Sequence, residues 1–156
     1  MPIKPNFTRN DVKNHFDKFL DVVEKRSIAR MKYLGEMCVT HARSIPADIG
    51  YKDQTGALRS STGYTVFLNG IAVHENFKSV NGNSEGIEAA KKLCDEVAEK
   101  YPEGILLVVV AGMNYAILLE SEGRDVLTSA EQIAEYELPQ MIEKLKLNIA
   151  KSFQES

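Results

Sequence analysis

The side chains able to do chemistry in this 156-residue chain are few and scattered. Cys38 and His41 stand three residues apart, a spacing that on a helix puts a thiol and an imidazole on one face. Such a pair suits two zinc ligands or a nucleophile with its base. A structural zinc site wants four ligands, usually in paired clusters, and the remaining candidates, Cys94 and His74, stand alone in distant segments. As a nucleophile pair, Cys38 and His41 fall in mid-helix, with no glycine-rich turn beside them to present oxyanion-hole amides. Asn81-Gly82-Asn83-Ser84-Glu85-Gly86 precedes a helical pattern, and the free amides of a helix start attract anions. The segment lacks the lysine–serine/threonine pair of a nucleotide P-loop and follows a loop instead of a strand, so it reads as a connector with a cap. Glu120 and Glu122 resemble an acid–base pair only in proximity, and neighbouring Arg124 makes a surface ion pair the simpler reading. Lys13, Lys18, Lys25, Arg26, Arg30 and Lys32 alternate with acids, as on a solvated helix face. The residues thus predict no catalytic centre, no metal and no cofactor.

The elements carrying these residues follow from hydrophobic periodicity. Apolar residues at Val12, Phe16, Phe19, Leu20 and Val23, then Met31, Leu34, Cys38 and Ala42, predict a long helix over 8–44. Thr8 or Asn10 offers the N-cap and Pro46 the stop, while Glu24-Lys25-Arg26-Ser27 interrupts the stripe and allows a bend or two helices. A helix this long exceeds what one small domain covers, so part of its stripe is expected to face another subunit. Thr55 to Ser61 predicts one or two helical turns. Tyr64–Leu68, Asn69-Gly70 and Ile71–His74 predict a hairpin on a type I′ turn. Lys78 to Asn83 reads as a loop and 84–100 as an amphipathic helix. Ile105–Ala111, apolar on both faces, predicts a strand at the centre of the sheet. Asn114 to Ser121 reads as a short helix or extended chain, and Gly123-Arg124-Asp125 as a turn. A last helix starts at Thr128 or Ser129, with Ser129 and Gln132 as capping box and Pro139 kinking it near Glu135.

Together these elements predict a single α+β domain over 1–156: a small antiparallel or mixed sheet with a hairpin, packed by a long N-terminal helix, a middle helix and a kinked C-terminal helix, with sheet and helices over 55–154. A composition 44% apolar and 26% charged belongs to a folded chain, and the longest apolar run, Ile105–Ala111, is far too short to span a bilayer. The N-terminus MPIKPNFTRND has no apolar signal segment, which predicts a cytoplasmic place of synthesis. Two cysteines make no disulfide framework, and a net charge of −3 argues against a nucleic-acid-binding face.

Two stretches, in order, carry a resemblance. Asp53-Gln54-Thr55-Gly56-Ala57-Leu58-Arg59-Ser60-Ser61 leads into the hairpin, and Asn114-Tyr115-Ala116-Ile117-Leu118-Leu119-Glu120 precedes the final helix. This arrangement resembles the minor tail and tail-completion (head–tail joining) morphogenesis proteins of tailed bacteriophages, with a long N-terminal helix, a TGxLRxS segment before a hairpin, and a later YAxxxE segment. Two features depart from that pattern: Glu120 is followed by Ser121-Glu122-Gly123-Arg124 instead of the family's Phe-Gly, and Asn76 to Tyr101 inserts a helix.

The resemblance implies a structural virion protein without enzymatic activity, made in the bacterial cytoplasm and located in the virion. It would assemble with identical subunits in a sixfold or twelvefold ring and touch neck, portal or other tail proteins, with genome DNA passing through the channel and no membrane involved. It singles out Thr55, Gly56, Leu58 and Ser60, and separately Tyr115, Ala116 and Glu120. Their architectural roles would be a cap for Thr55, a core contact for Leu58 and a cover over the sheet for Tyr115 and Leu118. The residues alone also suit a small cytoplasmic adaptor or ligand-binding module acting through the N-terminal helix or the 81–86 loop.

Overall fold

The structure, a computed structural model, describes residues 3–4, 6–45, 57–79, 84–112, 123 and 125–154. Helix α1 spans Arg9–Ser44 without a break. Thr8 caps it: its Oγ1 accepts from the Asp11 amide at 3.2 Å, while Asp11 Oδ2 accepts from the Thr8 amide at 2.7 Å, a reciprocal capping box. The polar stretch Glu24–Ser27 does not divide it into two helices. An ion pair between Asp21 and Lys25 and a Ser27 hydroxyl bonded back to the Val23 carbonyl carry the helix through the polar stretch. The helix ends ahead of Pro46, at Ile45, whose backbone is extended (φ −61°, ψ 124°), as the residue before a proline prefers.

A short helix α2 (Ala57–Ser61) leads straight into β1 (Thr62–Leu68), which pairs antiparallel with β2 (Ile71–Phe77). Asn69 (φ 49°) and Gly70 (φ 80°) both take the left-handed conformation that the type I′ turn requires. The turn is also pinned from outside. Asn69 donates its amide to the Gly104 carbonyl, and the Gly104 amide donates to Asn69 Oδ1, each at 2.9 Å. Helix α3 (Glu85–Lys100) follows, with no side-chain bond from Ser84 at its start. Strand β3 (Ile105–Ala111) then pairs antiparallel with β1, from Leu68↔Ile105 to Thr62↔Ala111. The last element, α4 (Thr128–Gln154), runs on through Pro139.

Among the described residues the sheet order is β2-β1-β3, so β1 and not β3 is central. The apolarity of β3 has a different cause: helices cover both of its faces. Leu106, Val108 and Val110 join Phe67 against Ala90, Cys94 and Ala98 of α3. The alternate residues Ile105, Leu107 and Val109 join Tyr64 and Val66 against α1. Three layers result, α3 on one side and the α1–α4 pair on the other, which is an α+β fold. Alanines let the helix pair close up: Ala130 of α4 packs with Leu34, Cys38 and Ala42 of α1. Gly35 has the same use against the sheet, because a Cβ there would come within 2.6 Å of the Tyr64 ring. The start of α4 differs from the sequence expectation. The Ser129 amide is held by Asp125 Oδ1 at 3.2 Å, and the Ser129 hydroxyl meets His41 Nε2 at 2.7 Å, so Asp125 supplies the cap.

Candidate assembly surface

Of the motif residues, Thr55, Gly56, Tyr115, Ala116 and Glu120 lie outside the described residues, as do Glu122 and the 81–83 part of the loop ahead of α3. Leu58 lies in α2, and Ser60 is wholly buried at its end. The LRSS part of the motif has an architectural use carried by the arginine between Leu58 and Ser60. Arg59 donates from Nη1 to the Arg43 carbonyl at 2.6 Å and from Nη2 to the Ile45 carbonyl at 3.1 Å. These carbonyls close α1, where helix geometry leaves acceptors unpaired and the macrodipole favours a cation. Arg43 in turn donates to the Thr62 carbonyl at 2.8 Å. The end of α1, α2 and the start of β1 are thereby fastened together.

The candidate catalytic residues are engaged in packing. The Cys38 thiol donates to the Ala130 carbonyl at 3.6 Å, and His41 meets Ser129, so the sequence-adjacent pair serves the α1–α4 contact. Burial pushes the Cys38 thiol up, and burial foremost pushes Cys94 to about 11, which keeps both protonated and poorly nucleophilic at neutral pH. Among the described residues no three histidine, cysteine or carboxylate side chains gather as metal ligands. An apolar hollow of about 550 Å³ lies between Leu34, Cys38, Leu107, Leu127 and Leu138. Its described lining holds one charged side chain, Glu131, short of the several convergent polar groups that orient a ligand.

One polar cluster escaped the sequence reading. Tyr64 is fully buried and donates its hydroxyl to Glu36 Oε1 at 2.7 Å, and Asn76 Nδ2 donates to the same oxygen at 2.6 Å. His74 Nε2 lies 3.0 Å from the Tyr64 oxygen. Since the single phenolic proton goes to the carboxylate, His74 is the donor there, which assigns its tautomer. The Asn76 bond, and after it the Tyr64 bond, hold Glu36 below the usual glutamate range. Burial, with Glu36 second, drives Tyr64 well above the usual tyrosine range. A phenol so held does not ionise near neutrality. The cluster fastens β2 to α1. Its sequence signal was the i, i+2 spacing of His74 and Asn76, which puts both on one face of β2. Nothing in the sequence pointed to Glu36 as their partner.

What the fold leaves bare is the N-terminal half of α1. Phe7, Val12, Phe16, Leu20 and Val22 are 41–62% exposed, while Leu34, Cys38, Val39 and Ala42 further along the same helix are buried. The cause is length. At about 1.5 Å per residue α1 runs about 54 Å, whereas a seven-residue strand spans about 23 Å. The sheet covers only the second half of α1, and α4 runs out beside Arg26, whose Nη1 donates to Ser152 Oγ at 3.0 Å. The uncovered part of the stripe lies between Phe7 and Val22, with Phe19 half-buried within it. Among the described residues no helix is long and apolar enough to cross a membrane, so the stripe is no membrane span. No family model, curated protein or solved structure matches the chain.

Proposed function

We propose that this chain is a structural virion protein of a tailed bacteriophage, a subunit of the head–tail connection that works by assembly and not by catalysis. The observation that carries the reading is the bare apolar arm of α1, a contiguous surface of Phe7, Val12, Phe16 and Leu20 on a folded chain. Exposed apolar surface of this extent marks a contact with another molecule. The motif order around Thr55–Ser61 and Tyr115–Glu120 supplies the kind of assembly: a ring of identical subunits, sixfold or twelvefold, seated on portal, neck or tail proteins. Ring closure needs heterologous contacts, one surface of each copy meeting a different surface of the next. The α1 arm and the exposed hairpin strand β2, with Ile71 71% and Val73 41% exposed, give two such surfaces. Chemistry is left to the neighbours: the thiols are protonated, the phenol is locked, and His41 and His74 are spent on packing.

Mass spectrometry of purified virions from the host that encodes the chain tests this directly. Peptides of the chain are expected at a ring's stoichiometry to the portal protein. Their absence from intact particles overturns the reading.

A further inference from the structure

The charges of α1 alternate along the sequence, but the helix sorts them in space. At about 100° per residue, Asp17, Asp21 and Glu24 fall about 140–180° round the helix from Arg26. Lys18, Arg26 and Arg30 come instead to the side where the end of α4 lies against α1, and two hollows open there. One, of about 530 Å³, lies between Arg26, Arg30 and Tyr33 of α1 and Asn148, Lys151 and Ser152 of α4. The other, of about 350 Å³, lies between His15, Lys18 and Val22 of α1 and Ile149 and Ser152 of α4. Arg26 and Ser152 line both, so the two hollows abut at the Arg26–Ser152 bond. Together they form one groove. Lys18, Arg26 and Arg30 cover about 18 Å of its α1 wall, and Lys151 adds a fourth cation from α4.

No carboxylate stands in the described lining of either hollow. Among the described residues none of the four cations is in an ion pair. The helix offers the arginines no relief either. The residues three and four positions from Arg26 are Val22, Val23, Ala29 and Arg30, and those from Arg30 are Arg26, Ser27, Tyr33 and Leu34. The two arginines are therefore a like-charged i, i+4 pair, which costs a helix stability. A net charge of −3 spoke against a nucleic-acid face, but it averages over this separation.

The rest of the lining says which anion fits. Arg26 and Arg30 stand about 6 Å apart along α1, and a guanidinium fork grips phosphate oxygens two at a time. Ser152 and Asn148 add neutral donors of the kind that meet phosphates. Tyr33, 57% exposed, adds an open aromatic face beside the cations. A free phosphate occupies one part of such a groove, and an acidic peptide leaves the Tyr33 ring unused. A strand of unpaired nucleotides uses both, its phosphates along the cations and a base on the ring. We propose that the α1–α4 groove binds the backbone of an unpaired nucleic-acid strand, with Lys18, Arg26, Arg30 and Lys151 on phosphates and Tyr33 under a base. The site is separate from the assembly surface, since Phe7, Val12, Phe16 and Leu20 take no part in its lining.

Fluorescence anisotropy of a short labelled oligothymidylate, titrated with the full chain over a range of salt, is the test. Binding is expected to fall with salt at a log–log slope of roughly −2 to −3, as three or four phosphate contacts on a single strand give. R26Q, R30Q and K151Q should each lower affinity about fivefold and take about 0.7 from that slope. Y33A should weaken binding about tenfold and leave the slope unchanged, because it removes a stacked base and no charge. K92Q removes the same charge from α3 and is expected to leave both quantities as in wild type. Far-UV circular dichroism of each variant should match wild type, which separates lost binding from lost folding. No binding at low salt overturns the proposal, as does binding that R26Q, R30Q and K151Q weaken no more than K92Q. Polyglutamate that displaces the strand at equal charge concentration would make the groove a seat for acidic protein and also overturns it. A duplex bound as tightly as the single strand, with Y33A silent, overturns the unpaired strand. Binding by a chain missing from virions refutes the phage reading alone, and a chain found in virions that does not bind refutes the strand site alone.

Discussion

Glu36 shows how one residue can hold two layers of the molecule together. It sits on α1, faces the sheet, and takes hydrogen bonds from Asn76 of β2 and Tyr64 of β1 on a single oxygen. The Asn76 bond is the chief reason its carboxyl stays ionised below the ordinary value of 4.5, with Tyr64, His74 and Arg43 acting in the same direction against burial. A depressed native pKa means that the unfolded chain takes up the proton first as pH falls. The stabilisation is therefore complete above 4.5 and is lost as pH drops from there through the lower native value. E36Q removes the charge but not the shape. At neutral pH it is expected to lower stability by about 1 kcal/mol, the worth of charge-assisted bonds over neutral ones in a partly exposed site. The gap to wild type should begin to narrow as pH falls past 4.5 and close only below the lower native value of Glu36, where both side chains are neutral. Urea midpoints measured across the acid range check this, and a gap that stays constant with pH means the carboxylate is not what the cluster stabilises.

At the scale of elements, the ends of α1 carry most of the specification. Thr8 and Asp11 start it, and Arg59 closes it by donating to the Arg43 and Ile45 carbonyls. R59A is expected to lower stability by about 1–2 kcal/mol, because it strips two charge-assisted bonds from acceptors left open by the helix. R59K should recover part of the loss, since an ammonium keeps the charge but not the fork that reaches both carbonyls. Denaturant unfolding of the three proteins measures it, and an R59K as stable as wild type would show that charge alone suffices. Local signals of this kind were legible in the sequence. Asn69-Gly70 announced its turn, Pro46 its helix end, and the stripe from Val12 to Ala42 its helix, because each depends on residues within one or two turns of chain. Contacts over long separations were not legible. The apolar run of β3 says that both faces are covered, not which neighbours the strand has, and among the described residues β1 took the central place. Ser129 and Gln132 had the spacing of a capping box, yet Asp125 and His41 claimed Ser129. Of the candidate surface, its existence followed from helix length. Its confinement to 7–22 depended on where α4 stops, a matter of packing.

For the whole molecule, α1 belongs to two regimes. From Leu34 to Ala42 it is sealed between the sheet and α4, while from Arg9 to Glu24 it stands clear of the sheet and of all but the tip of α4. Isolated helices of that length are marginal in water, so the arm relies on its junction with the body and on whatever covers its stripe. Local opening should then follow the packing. Amide hydrogen exchange on the dilute protein is expected to be fast from Val12 to Leu20 and to slow through Ser27 toward Val39, with the slowest sites near the global unfolding limit. Uniform protection along α1 in the dilute protein would mean that the body holds the arm, and the division of this helix into a packed half and an assembly half would fail.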